Sequence, residues 1–122
     1  MLDWEMATIG DPLMDLGSTL AYWIEDNDPD ELQQLRFCLT HLPGNLTRAE
    51  LVERYTSQSN VRSSDMLFYY IYGLFKLAVI VQQIYARYAA GKTGDERFAG
   101  LNKGVEALAL SGFMAIQRES ID

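Results

Sequence analysis

Apolar residues recur along the chain at helical spacing, in stretches separated by turn-forming residues. Leu13, Leu16, Leu20, Trp23 and Ile24 fall on one face of a helix that Asp11-Pro12 is suited to open. An aspartate accepts from the free amides of a first turn, and proline fits the first helical position because it has no amide hydrogen to leave unpaired. Asp26-Asn27-Asp28-Pro29 stops this helix and starts another, in which Leu32, Leu35 and Leu39 continue the period before the turn Pro43-Gly44-Asn45. Thr47 and Glu50 have capping-box spacing ahead of a short helix with Leu51, Val52 and Tyr55 on its apolar face. Polar residues from Ser57 to Ser64 read as a loop.

The next helix, from about Ser64 to Ala90, is apolar on nearly every side and is therefore expected at the centre of the core, with Gly91 ending it. Thr93 and Glu96 have the spacing of a second capping box. The last helix then carries Phe98, Leu101, Val105 and Leu108 on one face, and Gly100 and Gly104, one turn apart, admit a close neighbour. Met1 to Trp4 read as a stub of strand. The fold class is all-α, about five helices after a short N-terminal strand stub, in a single domain over residues 1–122.

Composition narrows the function. Seventeen acidic against ten basic residues give a net charge of −7, with no basic face for nucleic acid or for an anionic membrane. The most apolar run, Met66 to Val81, is 16 residues long and contains Lys76. That is short of the roughly 20 apolar residues of a membrane span, so it reads as a core helix. The opening residues lack the basic start of a signal peptide, and the single cysteine, Cys38, allows no intrachain disulfide. Both features suit a cytoplasmic location.

Candidate chemistry is concentrated at the N-terminus, in Leu2-Asp3-Trp4-Glu5, then Gly10-Asp11-Pro12, then Asp15-Leu16. Such acids can bind a hard cation through carboxylate oxygens. On spacing alone they read more simply, Asp11 as a helix cap, Asp15 on a solvated face and Asp3 before a turn. At about 100° per residue, Asp11 and Asp15 point away from the Leu13, Leu16 and Leu20 stripe and face something other than their own helix's core.

The run LDWEMATIGDPLMDLG closely resembles the metal-binding segment of the aminoglycoside phosphotransferase family, which includes choline kinase-like enzymes, and Tyr69 to Gly91 resembles a helix of one branch of that family. The resemblance implies the C-terminal helical substrate lobe of a protein kinase-like fold. It also implies transfer of the γ-phosphoryl of ATP to a hydroxyl of a small molecule, with Mg²⁺ and ATP as cofactors of the complete enzyme. Asp3 matches the aspartate that holds Mg²⁺, Glu5 a second metal contact, and Asp15 a helix aspartate that anchors the catalytic loop.

The family's His-Gly-Asp motif is missing from this sequence, where the only histidine is His41, in Thr-His-Leu-Pro. The nucleotide-binding lobe is not recognisable either. The expectation is a partial phosphotransferase with no catalytic base in this chain, inactive alone, and self-associating into a homo-oligomer through apolar surface left uncovered. Alternatives are a stand-alone helical binding module or one half of a split kinase. His41 and Cys38 read as a surface residue and inert packing. Half of the aromatic cluster Phe68, Tyr69, Tyr70, Tyr72 and Phe75 reads as core, and Lys76 and Arg87 need water or a carboxylate. Gly91-Lys92-Thr93-Gly94 reads as a helix-to-helix turn, since no glycine stands at phosphate-loop spacing ahead of it.

Overall fold

A computed structural model describes residues 8–35, 37–59, 61–62 and 65–122. Among them the order of elements is α1 (Pro12–Tyr22), α2 (Asp30–Gln33), α3 (Arg48–Gln58), α4 (Met66–Ala89), a single 3-10 turn (Glu96–Phe98) and α5 (Leu101–Arg118). The all-α class is thus borne out for the described residues. The expected strand stub, Met1 to Trp4, lies outside them.

Local chemistry sets most of the helix ends where the sequence put them. Asp11 caps α1, its Oδ1 accepting from the Leu13 amide at 2.9 Å, with Pro12 behind it. Thr47 and Glu50 close the capping box of α3, each side chain accepting from the other's amide at 3.1 and 2.8 Å. Gly91, at φ +68°, ends α4, and the amides of Gly91 and Lys92 reach back to the carbonyls of Tyr88 and Arg87. The segment Gly91 to Gly94 is the expected turn.

Two expected helices are shorter. The second ends at Gln33 and does not reach Leu39, which is 70% exposed. Tertiary hydrogen bonds override the leucine period: the Thr40 hydroxyl accepts from the Ile24 amide at 3.0 Å and donates to the Ile24 carbonyl at 2.9 Å. That contact, with Trp23 Nε1 donating to the Leu46 carbonyl at 2.8 Å, draws the segment after α2 back over the end of α1. The Thr93–Glu96 box does not form. Glu96 accepts instead from the Tyr88 hydroxyl at 3.1 Å, and Asp95 caps the short turn by accepting from Arg97, so α5 starts only at Leu101.

The core is a layer of α1 and α5 against α4. Leu13, Leu16, Leu20 and Ile24 meet Tyr70, Leu74, Leu77 and Val81, and Leu108 and Ala115 close the other side. α4 is central but not buried all round, contrary to expectation: Phe68 and Phe75 are 61% and 65% exposed. It is long and apolar enough to cross a membrane on those two criteria, and it packs between α1 and α5.

Glycine lets α1 and α4 approach. A methyl group on Gly17 would lie 2.3 Å from the Tyr69 carbonyl oxygen, and one on Gly73 2.3 Å from the Gly17 carbonyl oxygen. The two backbones touch, and no side chain fits between them. Gly104 plays the expected role for α5, where a methyl would lie 2.5 Å from Leu35 Cδ2, whereas Gly100 has open space.

Gly17→Ala and Gly73→Ala should each lower the unfolding free energy by about 1–3 kcal/mol in urea titration, because backbone must shift to make room. Gly94→Ala, with nothing within 4 Å of the added carbon, should stay within about 0.5 kcal/mol of the native chain.

Candidate functional site

Asp11 does two jobs with one carboxylate. Oδ1 caps α1, while Oδ2 accepts from the Tyr69 hydroxyl of α4 at 2.5 Å. The Tyr69 hydroxyl, and after it the Leu13 amide, hold the Asp11 carboxyl below its ordinary value, and the same bond raises the Tyr69 phenol. The start of α1 is thereby fixed to α4 by a contact 58 residues apart in sequence.

Asp15 stands one turn further on, exposed as its angular position predicted. Asp11, Asp15, Ser18, Tyr72 and Lys76 line an open cavity of about 510 Å³ between α1 and α4. The structure thus brings Asp15 together with two residues of α4. In the sequence Tyr72 reads as one of an aromatic cluster and Lys76 as a cation needing water or a carboxylate, and the fold sets both beside Asp15. Lys76 is exposed. The candidate metal residues Asp3 and Glu5 lie outside the described residues. Among the described residues, no three histidine, cysteine or acidic side chains gather closely enough to hold a metal ion.

A second polar cluster escaped the sequence reading altogether. Arg48, the first residue of α3, is 3% exposed and pairs with both Glu25 and Asp28. Its Nε donates to the Trp23 carbonyl at 3.0 Å, and its guanidinium lies 5.3 Å from the centre of the Tyr70 ring. The Glu25 carboxylate also accepts from the Arg48 amide, and Asp28 accepts from the Glu25 amide at 2.8 Å. Burial pushes the Glu25 carboxyl up against the pull of Arg48, and burial above all pushes the Tyr70 phenol up to about 12. This network joins the end of α1, the following loop, α3 and α4. It is a structural hub, because a buried charge left without its partners is costly. Periodicity gave no sign of it, since an arginine behind a capping threonine looks like an ordinary solvated residue.

Three further expectations from the sequence do not hold. Cys38 is exposed and is not packing. His41 is half-buried, and its Nδ1 is buried with no hydrogen-bond partner among the described residues. In the aromatic cluster Tyr70 is buried in the core and Tyr69 packs half-buried against it, while the α1 and α5 contacts cover one side of α4 and leave Phe68, Tyr72 and Phe75 outside.

The family model for the phosphotransferase enzyme family matches residues 1–48, which takes in Asp3, Glu5, Asp11, Asp15 and Arg48. The resemblance read from the sequence is upheld over that span. Among curated proteins, acyl-CoA dehydrogenase family member 11 of Mus musculus is 30% identical over 125 residues, covering 97% of this chain and 15% of that protein. The Homo sapiens protein of the same name is 28% identical over 120 residues, again 97% of this chain and 15% of that protein. The probable acyl-CoA dehydrogenase IBR3 of Arabidopsis thaliana is 30% identical over 127 residues, 99% of this chain and 15% of that protein. The chain therefore spans about 15% of the length of these relatives. No solved structure matches it.

Removing the hub's cation should be severe: Arg48→Met is expected to cost about 3–5 kcal/mol of unfolding free energy by thermal or urea melts, as two buried carboxylates lose their partner. The Asp11–Tyr69 bond gives a pH signature. A carboxyl held below its unfolded value of 3.8 adds stability above that value and loses it as pH falls through the folded value. Urea midpoints should therefore fall less steeply below pH 4 in Tyr69→Phe than in the native chain.

Proposed function

We propose that this chain is the helical part of a phosphotransferase that moves the γ-phosphoryl of ATP to a hydroxyl of a small molecule. The observation that carries the reading is the match of residues 1–48 to the phosphotransferase enzyme family, in the segment that holds every acid singled out from the sequence. The geometry is compatible with it. Asp11 is committed to the cap and to Tyr69, whereas Asp15 is left exposed beside an open cavity, free to accept hydrogen bonds from a catalytic loop laid against α1.

Asp3 and Glu5 are the residues that would hold Mg²⁺. Their hard carboxylate oxygens suit that ion, and histidine or cysteine would not. Bound there, the ion would neutralise charge on the nucleotide phosphates. Asp15 is a positioning residue on this reading, and Lys76 is within the same cavity to orient what enters it. The sequence contains no His-Gly-Asp motif, so no residue of this chain is assigned as the base that takes the hydroxyl proton. We assign the activity to a cytoplasmic protein in which that loop is supplied together with this helical part.

The relatives' names add a substrate class to test. Proteins named acyl-CoA dehydrogenases match 97–99% of this chain, and an acyl-CoA carrying a hydroxyl is therefore a further acceptor to test beside choline and aminoglycosides.

The 122-residue chain by itself should release no ADP from ATP and Mg²⁺ above the level of its Asp3→Ala variant, in a coupled assay with each of those acceptors. Mixed with a separately produced family segment bearing the nucleotide-binding lobe and His-Gly-Asp loop, it should gain activity. Asp3→Ala should abolish that activity, and Asp15→Ala should lower it about 10-fold or more through kcat. Turnover by the isolated chain that disappears in Asp3→Ala would overturn the view that it is incomplete. Failure of every complementation would favour a binding module.

A further inference from the structure

α4 uses one face for the core and leaves another bare. Phe68, Tyr72, Phe75 and Val79 are 61%, 40%, 65% and 40% exposed. They follow one another at steps of four, three and four residues, which is the spacing of a helix-to-helix seam. The same steps continue through Gln82 and Ala86, both exposed, so no charge falls on the stripe from Phe68 to Ala86. Beside it, Phe113 and Ile116 of α5 are 58% and 50% exposed. With Phe75 of the stripe they border an apolar groove floored by Leu74, Leu108 and Gly112. A continuous apolar surface of this kind on a chain of net charge −7 marks a contact surface.

We propose that this stripe is the interface of a symmetric dimer of the chain, in which two copies of α4 pack antiparallel, centred at the level of Leu77. Side-chain size decides the direction. In that register Phe68 of one copy meets Ala86 of the other, Tyr72 meets Gln82, and Phe75 meets Val79, so each ring faces a smaller side chain. Parallel copies would crowd Phe68, Tyr72 and Phe75 against themselves and leave a hollow at Ala86.

Charge agrees with size. Asp65, at the N-cap of α4, and Arg87, in its last turn, are both exposed. Neither makes an ion pair among the described residues. The antiparallel register sets Asp65 of one copy within about one turn of Arg87 of the other, at both ends of the seam. The two copies of Lys76 approach near the axis, and Asp15 of each chain lines the same cavity as its Lys76. The dimer does not depend on the phosphotransferase reading.

Sedimentation equilibrium of the 122-residue chain at about 100 µM, which saturates a dimer of micromolar affinity, should give twice the chain mass. Phe75→Glu should return it to the monomer with an unchanged helical circular dichroism spectrum. If that variant does not fold, Val79→Glu supplies the same reading. For the register, mild oxidation of Phe68→Cys with Ala86→Cys, in a Cys38→Ser background, should yield a covalent dimer. Phe68→Cys alone should not. A monomeric native chain overturns the proposal and assigns the stripe to another segment of a longer protein. A dimer that persists in the folded glutamate variants, or one cross-linked through Phe68→Cys alone, overturns it as well.

Discussion

The contact of Gly17 with Gly73 sets the distance between α1 and α4, and the rest of the structure follows from that distance. Each glycine faces backbone of the opposite helix, so their methyl-free positions are used by the carbonyls of Tyr69 and Gly17 themselves. Close approach brings Leu13, Leu16 and Leu20 into register with the buried face of α4, and it brings the Tyr69 hydroxyl within 2.5 Å of Asp11. A wider spacing would break that bond and open the cavity in which Asp15 and Lys76 stand. Helix propensity is given up at both positions because glycine carries no side chain, and the gain is a fixed geometry at the start of α1.

The other end of α1 is held by charge rather than by close packing. Arg48 gathers Glu25, Asp28, the Trp23 carbonyl and the Tyr70 ring around one buried guanidinium. Buried pairs of this kind add little net stability over an apolar replacement, but they tolerate no missing member. Their effect is specificity, since only one arrangement of the loop after α1 and the start of α3 satisfies all the acceptors. α1 is therefore clamped at both ends, by Asp11 with Tyr69 and by the groups around Arg48. A helix held in this way presents Asp15 at a constant position beside the cavity it shares with Lys76.

Local rules were readable wherever the satisfying group lies close in sequence. The Asp11-Pro12 start, the Thr47 and Glu50 box and the Gly91 stop all form, because the amides and carbonyls they serve are within a turn. The same rules failed where a distant group competed. Leu39 has helical spacing, but Thr40 is bound to Ile24 across 16 residues. Glu96 is spaced for a capping box, but Tyr88 holds its carboxylate. Half of the aromatic cluster was taken for core, and the two-helix layer against α4 left most of it outside.

The sequence by itself determined the helical class, most helix starts and stops, the acids of the N-terminal segment and their likeness to a phosphotransferase. These depend on spacing and on side chains acting on nearby backbone. Only the tertiary structure decided which side of α4 is bare, that Lys76 and Tyr72 share a cavity with Asp15, and that Arg48 is a buried hub. Those properties belong to pairs of residues far apart along the chain. Periodicity reports which face of a helix is apolar, and it does not report which neighbour, if any, comes to cover that face.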